Sequence, residues 1–333
     1  DKLKIKVFSK FYFSEYLNSL PNNVIEGSKI NYIPPLSGKI IEFYTKQISN
    51  LKLFKFDPDI IHRTYFSNNF SIKTKSKLVI TIYDLIHEIF SDNKKFRPKQ
   101  KAINLADKII CISNNTKNDL INIYNIKPDK ISVIYLGREH MSIDNTLSKN
   151  SIQNSHAPYV LFVGSRKKYK NFDFFLNAFT KSNKLMKDLN IVLFGGEDTT
   201  IQEIKKFKDL GFKKNQIVQI KGNDSTLINL FNNAMAFIFP SLYEGFGLPL
   251  IESMHLNCPV ICSNIKTFTE ITENSAEYFD PKNYESIISS IEKVVYNAEY
   301  AKVLIKKGKE RSSKFSWTNC ALETNKIYQT LIK

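Results

Sequence analysis

Phe239-Pro240-Ser241-Leu242-Tyr243-Glu244-Gly245-Phe246-Gly247-Leu248-Pro249-Leu250-Ile251-Glu252 is the stretch that decides the fold of this chain. The apolar run Ala236–Phe239 at its start has the length and residue types of a buried strand. Pro249 begins a run through His255 that reads as a helix, with proline at a position where its missing N–H costs nothing. Between them, Gly245 and Gly247 let backbone N–H groups come close to a ligand, and a helix start favours a phosphate there. Glu244 and Glu252 place two carboxylates eight residues apart across this turn, with Glu252 expected in the first helical turn. A strand, a glycine-bearing turn and a helix make one βα unit of a parallel sheet.

The same order recurs upstream. Tyr159–Val163 reads as a buried strand and Phe172–Thr180 as a helix, joined by Gly164-Ser165-Arg166-Lys167-Lys168-Tyr169-Lys170-Asn171. Asn171 is expected to cap the helix. Arg166, Lys167, Lys168 and Lys170 put four cations just before a helix N-terminus, which repels positive charge. Such a turn calls for an anion, so Arg166 and Lys170 are candidates to bind a diphosphate and stabilise it as a leaving group. A cationic clamp, an N–H cradle and two acids that can read hydroxyls fit a phosphate-linked sugar or nucleotide.

Further strands are expected at Ile5–Phe8, Ile30–Ile33, Ile60–Arg63, Leu78–Tyr83, Ile109–Ile112, Ser132–Leu136, Ile191–Phe194, Ile217–Ile220, Val260–Cys262 and Glu277–Phe279, with helical runs between many of them. Repeated βα units predict α/β architecture with two Rossmann-like, doubly wound domains. The polar stretch Arg138–Pro158 has linker composition, which divides the chain at 150/151. Trp317 to Ile332 spaces its apolar residues as an amphipathic helix. At 333 residues the chain can fill two cores, and 42% hydrophobic with 24% charged residues is ordinary for a globular protein. No apolar run approaches the roughly 20 residues that span a bilayer.

The formal charge of +16 admits nucleic acid or an anionic membrane surface as partner, besides a lysine-rich solvated surface. Lys94-Lys95-Phe96-Arg97-Pro98-Lys99-Gln100-Lys101 is the densest basic cluster. Nucleic acid is disfavoured because no recognised nucleic-acid-binding signature accompanies the charge. Cys111, Cys258, Cys262 and Cys320 complete no zinc set, and the chain is expected in a reducing compartment without disulfides. Asp57-Pro58-Asp59 is a weak metal motif, and no metal is expected.

The run Phe239–Glu252, continued by Cys258-Pro259-Val260-Ile261, resembles the retaining glycosyltransferases of the GT-B fold, family GT4. Val163-Gly164-Ser165-Arg166 with Tyr169-Lys170-Asn171 is similar to that family's donor-phosphate turn. Looser matches are Asp59-Ile60-Ile61-His62-Arg63-Thr64-Tyr65, Tyr83-Asp84-Leu85-Ile86, Ile112-Ser113-Asn114-Asn115-Thr116 and Phe315-Ser316-Trp317. The resemblance implies two domains facing across a cleft: an acceptor-binding domain at 1–150, completed by a closing helix at 313–333, and a donor domain at 151–312. It implies that Arg166 and Lys170 hold the nucleotide diphosphate and that Glu252 holds the ribose. Glu244, with the backbone of Gly245, Phe246, Gly247 and Leu248, would hold the sugar and β-phosphate beside Gly164. Tyr83 stands where many relatives carry a histidine; His62, Asp84 and Ser113 are further substrate-side candidates. Relatives open with a strand and a glycine-rich loop, whereas the first glycine here is Gly27, so the N-terminal domain is expected to lack its first βα unit.

The implied function is transfer of a hexose from a GDP- or UDP-linked donor to a glycan or lipid-linked glycan. The implied setting is bacterial O-antigen or capsule synthesis, at the cytoplasmic side of a membrane. A sugar-nucleotide epimerase, a phosphorylase and a non-catalytic GT-B scaffold remain open alternatives.

Overall fold

The computed structural model describes residues 4–12, 17, 20–30, 32, 38–64, 75–90, 97–138 and 158–332. The strands are β1 (Val7–Tyr12), β2 (Ile25–Lys29), β3 (Ile60–Arg63), β4 (Lys77–Ile82), β5 (Lys108–Cys111), β6 (Ile131–Val133), β7 (Tyr159–Val163), β8 (Asn190–Phe194), β9 (Ile217–Ile220), β10 (Ala236–Phe239), β11 (Val260–Ser263) and β12 (Glu277–Phe279). The helices are α1 (Gly38–Phe56), α2 (Ile86–Phe90), α3 (Arg97–Leu105), α4 (Asn114–Tyr124), α5 (Phe172–Thr180), α6 (Asn183–Asp188), α7 (Ile201–Asp209), α8 (Asp224–Asn233), α9 (Leu248–His255), α10 (Lys266–Thr272), α11 (Tyr284–Val295), α12 (Ala298–Ser312) and α13 (Trp317–Ile332). The strands β3, β7, β9, β10 and β12 and the helix α5 carry the bounds expected from sequence.

Ile25–Lys29 pairs in parallel with β1, from Val7 opposite Ile25 to Tyr12 opposite Lys29. The strand expected at Ile30–Ile33 falls partly on residues 31 and 33, which lie outside the described set.

The second half is built on a six-stranded sheet ordered β12-β11-β10-β7-β8-β9. All five of its strand pairings are parallel. Every residue of β7 is buried. Tyr159, Leu161 and Val163 face one core with Phe237, Phe239, Leu250 and Met254. Val160 and Phe162 face the other with Phe175, Phe179, Ile287 and Ile291. The period-2 alternation of a strand thus fills two apolar layers at once, which is what a sheet covered by helices on both faces requires. From β7 the chain moves outward through β8 and β9, then returns to the other side of β7 with β10.

In the first half β3-β4-β5-β6 form a four-stranded sheet and β1-β2 a two-stranded one. Leu78 to Ile82 of β4 are buried, whereas all four residues of β3 are half-buried. The described residues within 1–81, 96–109 and 328–332 form one compact unit, and those within 82–95 and 110–327 a second. Most of the expected linker, residues 139–157, lies outside the described set, as do residues 94–96 of the basic cluster and Tyr65. All four cysteines are free thiols, three of them buried. No helix among the described residues is long and apolar enough to cross a membrane.

Candidate functional site

The adjacency of β7 and β10 puts two strand-to-helix turns side by side at the point where strand order reverses. In open α/β sheets that is where a crevice forms beyond the carboxyl ends of the strands. The first turn leaves β7 through Gly164 and a short 3-10 segment, Lys168–Lys170. The second follows β10, and Leu242 N–H donates to the Tyr169 carbonyl at 2.8 Å, tying the two together.

Across this tie Lys170 Nζ lies 2.6 Å from Glu244 Oε1, and the two side chains are only 13% and 11% exposed. Ser241 Oγ donates to the same carboxylate oxygen at 2.8 Å, and Thr267 Oγ1 donates to the Glu244 carbonyl at 2.7 Å. Lys170 Nζ also stands 5.0 Å from the centre of the Phe239 ring. Burial pushes the Glu244 carboxyl above its ordinary range; Lys170 and Ser241 pull it back, and the charge of Asp84 adds to the rise. The site therefore holds one cation and a cluster of acid and hydroxyl groups in a place poor in water.

Arg166 is placed differently. Its Nε donates to Glu203 Oε1 at 2.6 Å, and its Nη2 to Glu203 Oε2 at 3.2 Å and to the Glu197 carbonyl at 2.8 Å. Its Nη1 is buried with no hydrogen-bond partner. Glu203 belongs to the capping box that starts α7, with Thr200. The Arg166 guanidinium holds the Glu203 carboxyl below its ordinary range, against a smaller opposing effect of burial.

Two segments distant in sequence converge on Gly245. A Cβ at this position would overlap the Tyr83 carbonyl oxygen and come within 3.0 Å of Asp84 Cβ, so only glycine lets the chains approach. Thr116 Oγ1 donates to the Gly245 carbonyl at 3.3 Å. Asp84 accepts from the Ile86 N–H at 3.0 Å and starts α2. Tyr83 is 39% exposed, and burial followed by the nearby Cys320 raises its phenol. Ser113 is buried and caps α4, accepting from Thr116 N–H at 3.0 Å. Glu270 reaches the same helix start, accepting from the Asn114 and Asn115 N–H groups at 2.7 and 3.1 Å.

Among the other nominated residues, Phe246 packs its ring against Tyr135 and Phe315, so its backbone is what it offers to a ligand. Gly247 precedes α9 with φ of 100°, and Leu248 is its first residue. Glu252 is half-buried and is the fifth residue of α9, not in the first turn, because the helix begins at Leu248. Asn171 precedes α5 but does not cap it with its side chain: its φ is 58°, and its amide donates to the Pro281 carbonyl at 2.8 Å. His62 has both ring nitrogens engaged, Nδ1 with Tyr328 Oη at 2.5 Å and Nε2 with Thr81 Oγ1 at 2.7 Å. Burial lowers its pKa to about 4. Among the described residues, no group of three or more His, Cys, Asp or Glu is placed to hold a metal ion.

Ser241, Thr267, Glu203 and Glu270 escaped the sequence reading. The Thr200-x-x-Glu203 spacing announces a capping box, but nothing local announces that Arg166 shares its carboxylate. Ser241 lies inside the stretch quoted first, three residues before the acid it supports.

The family described as "Glycosyl transferases group 1" matches residues 143–311, and "Glycosyltransferase Family 4" matches residues 6–140. The chain is 25% identical over 245 residues to an O-antigen chain mannosyltransferase B of Escherichia coli, covering 69% of this chain and 62% of that protein. It is 27% identical over 286 residues to the O-antigen chain mannosyltransferase RfbU of Salmonella typhimurium, covering 83% and 76%. The crystal structure of Alr3699/HepE of Anabaena in complex with UDP superposes with a TM-score of 0.72 at 13% identity, covering 92% of this chain and 87% of that one, a likeness of fold. This chain belongs to the group 1 glycosyl transferases.

Proposed function

We propose that the chain transfers a hexose from a GDP- or UDP-linked sugar to a hydroxyl of a glycan or lipid-linked glycan, with retention at the anomeric carbon. The observation that carries this reading is the buried Lys170–Glu244 pair at the switch point between β7 and β10. Lys170 and Arg166 meet the diphosphate, Glu252 the ribose, and Glu244 with the backbone of Gly245 to Leu248 the sugar and β-phosphate, close to Gly164. The bond between the anomeric carbon and the phosphate oxygen breaks as the acceptor oxygen bonds on the same face, and its proton passes to the leaving phosphate. Developing charge on that phosphate is stabilised by fixed cations. No metal is assigned a role.

Residues 151–312 take the donor, and residues 1–150 with 313–333 take the acceptor, with Tyr83, Asp84 and Ser113 on the substrate side. Similarity to proteins named O-antigen mannosyltransferases supports bacterial surface polysaccharide as the product, and a UDP complex of a like fold supports a nucleotide donor. We place the protein in the cytoplasm, peripheral to an anionic membrane. Helix α1 supports that placement: Phe43, Tyr44, Leu51 and Phe54 are exposed on it, and its sequence holds four lysines against one acid. Exposed apolar side chains beside lysines suit a charged lipid surface.

The deciding experiment is calorimetry with UDP, GDP and ADP against their nucleosides, followed by turnover of the matching sugar donor. The expected result is tight binding of one diphosphate, and diphosphate release only when a glycan acceptor is added. Release without an acceptor favours an epimerase, and binding without any turnover a non-catalytic scaffold. Sedimentation with vesicles containing acidic lipid tests the membrane placement, and equal binding to neutral vesicles counts against it.

A further inference from the structure

Arg166 and Lys170 of the turn are held by different acids, and Arg166 keeps a buried nitrogen that no neighbour satisfies. A guanidinium has five N–H donors. In Arg166 the Nε–H goes to Glu203 Oε1, and Nη2 serves both Glu203 Oε2 and the Glu197 carbonyl. The side chain is 7% exposed, yet Nη1 is buried without a partner. Native proteins rarely leave a buried charged donor unsatisfied, because its desolvation is then uncompensated.

The groups that grip Arg166 are themselves fixed. Glu203 Oε2 accepts from the Thr200 N–H at 2.9 Å, and Thr200 Oγ1 accepts from the Glu203 N–H at 3.1 Å. The loop between β8 and α7 is clamped by Gln219 of β9. Its Oε1 accepts from the N–H and the hydroxyl of Thr199, both at 2.7 Å, and its Nε2 donates to the Glu197 carbonyl at 3.0 Å. A Cβ at Gly196 would stand 2.7 Å from the Gly164 carbonyl oxygen, so this loop lies directly on the turn that carries Arg166.

We infer that Glu203 is a positioning residue, which occupies the Nε side of Arg166 and thereby leaves Nη1 as the one nitrogen presented to an oxygen of a bound diphosphate. This inference rests on the nucleotide-sugar reading above. Glu203 fixes the plane of the guanidinium by accepting two hydrogen bonds, which lysine in place of arginine could not donate in the same geometry. The carboxylate is kept ionised by the cation it orients. An arginine free to rotate would spread its charge over many poses and lose the alignment on which leaving-group stabilisation depends.

The test is calorimetry on the full chain and three variants, using UDP and GDP with uridine and guanosine as the paired probes. Glu203→Gln should weaken diphosphate binding roughly ten- to a hundredfold, the scale of a misplaced contact, and leave nucleoside binding unchanged. Thr200→Ala breaks the capping box while keeping the Thr200 N–H bond to Glu203. It should lower the melting temperature and leave the ratio of diphosphate to nucleoside affinity as in the parent chain. In an Arg166→Ala background, Glu203→Gln should cause no further loss. An unchanged ratio in Glu203→Gln, or tighter diphosphate binding, overturns the inference and makes Glu203 inert or a competitor for the guanidinium. If Lys170→Ala weakens diphosphate binding while Glu203→Gln does not, this inference alone falls. If the parent chain binds neither diphosphate, the inference and the reading beneath it fall together.

Discussion

Lys170–Glu244 and His62–Tyr328 each join residues far apart in sequence, 74 and 266 positions, and each is partly withdrawn from water. The physical difference lies in charge. His62 is a neutral ring whose two nitrogens are both satisfied, by Thr81 and Tyr328, and burial holds its pKa near 4. It is a clasp between β3 and the end of α13. Lys170 and Glu244 are opposite charges sequestered where the carboxyl is pushed toward protonation. A polar group whose hydrogen bonds are completed by neutral neighbours is explained by the fold it stabilises. A buried ion pair is not, because replacing both charges with apolar groups is often neutral or stabilising. That asymmetry is why we assign chemistry to the second and architecture to the first.

Removing one charge of the Lys170–Glu244 pair has the largest expected effect. Lys170→Ala leaves Glu244 buried without its cation, and we expect a loss of about 3–5 kcal/mol in urea unfolding, together with loss of diphosphate binding. Adding Glu244→Gln to that variant should recover part of the stability and none of the binding. Recovery of both would make the pair structural, like the histidine clasp.

The clasp has its own signature in pH. The unfolded imidazole takes a proton near pH 6.5 and the folded one only near pH 4. Between these values the unfolded chain binds the extra proton, so the clasp's contribution is intact above about pH 6.5 and lost as pH falls to about 4. The loss should be about 3 kcal/mol. His62→Gln should flatten that slope in urea midpoints compared across this range. A slope that survives the substitution would assign the acid sensitivity to other groups.

Gly245→Ala drives a methyl group into the Tyr83 carbonyl. A cost of about 2 kcal/mol is expected, typical of overpacking, and it should be accompanied by weaker donor turnover, since the same backbone lines the proposed sugar site. A neutral result in thermal melts would mean that the approach of these segments relaxes easily. The smallest effect belongs to Asn171. Asn171→Gly keeps the left-handed backbone at φ 58° and removes only the bond to Pro281, for about 1 kcal/mol, whereas Asn171→Ala should cost more by straining the turn. Equal melting temperatures for the two would show that this backbone conformation carries no strain.

Much of the candidate site is legible because its residue types are unusual where they stand. Four cations before α5 and two glycines between Glu244 and α9 contradict the ordinary preferences of a helix start or a plain turn. Glu203 was not legible as Arg166's partner, because the capping box accounts for it locally and a separation of 37 positions hides the pairing. His62 was ambiguous for the opposite reason. A histidine in a strand can be ligand, base or packing, and its partners Thr81 and Tyr328 come from other elements.

The sequence by itself determined the strands of the second half and the helices α5, α9 and α13, since short apolar runs and helix starts depend on neighbours a few residues away. It also determined which turns carry charge. Tertiary structure alone decided that β2 is Ile25–Lys29, that Tyr83, Thr116 and Gly245 meet, and that β10 returns beside β7 and not beyond β9. Strand order is set by which apolar faces bury each other across the whole domain. No local pattern encodes that choice, and it is what brings Lys170 within 2.6 Å of Glu244.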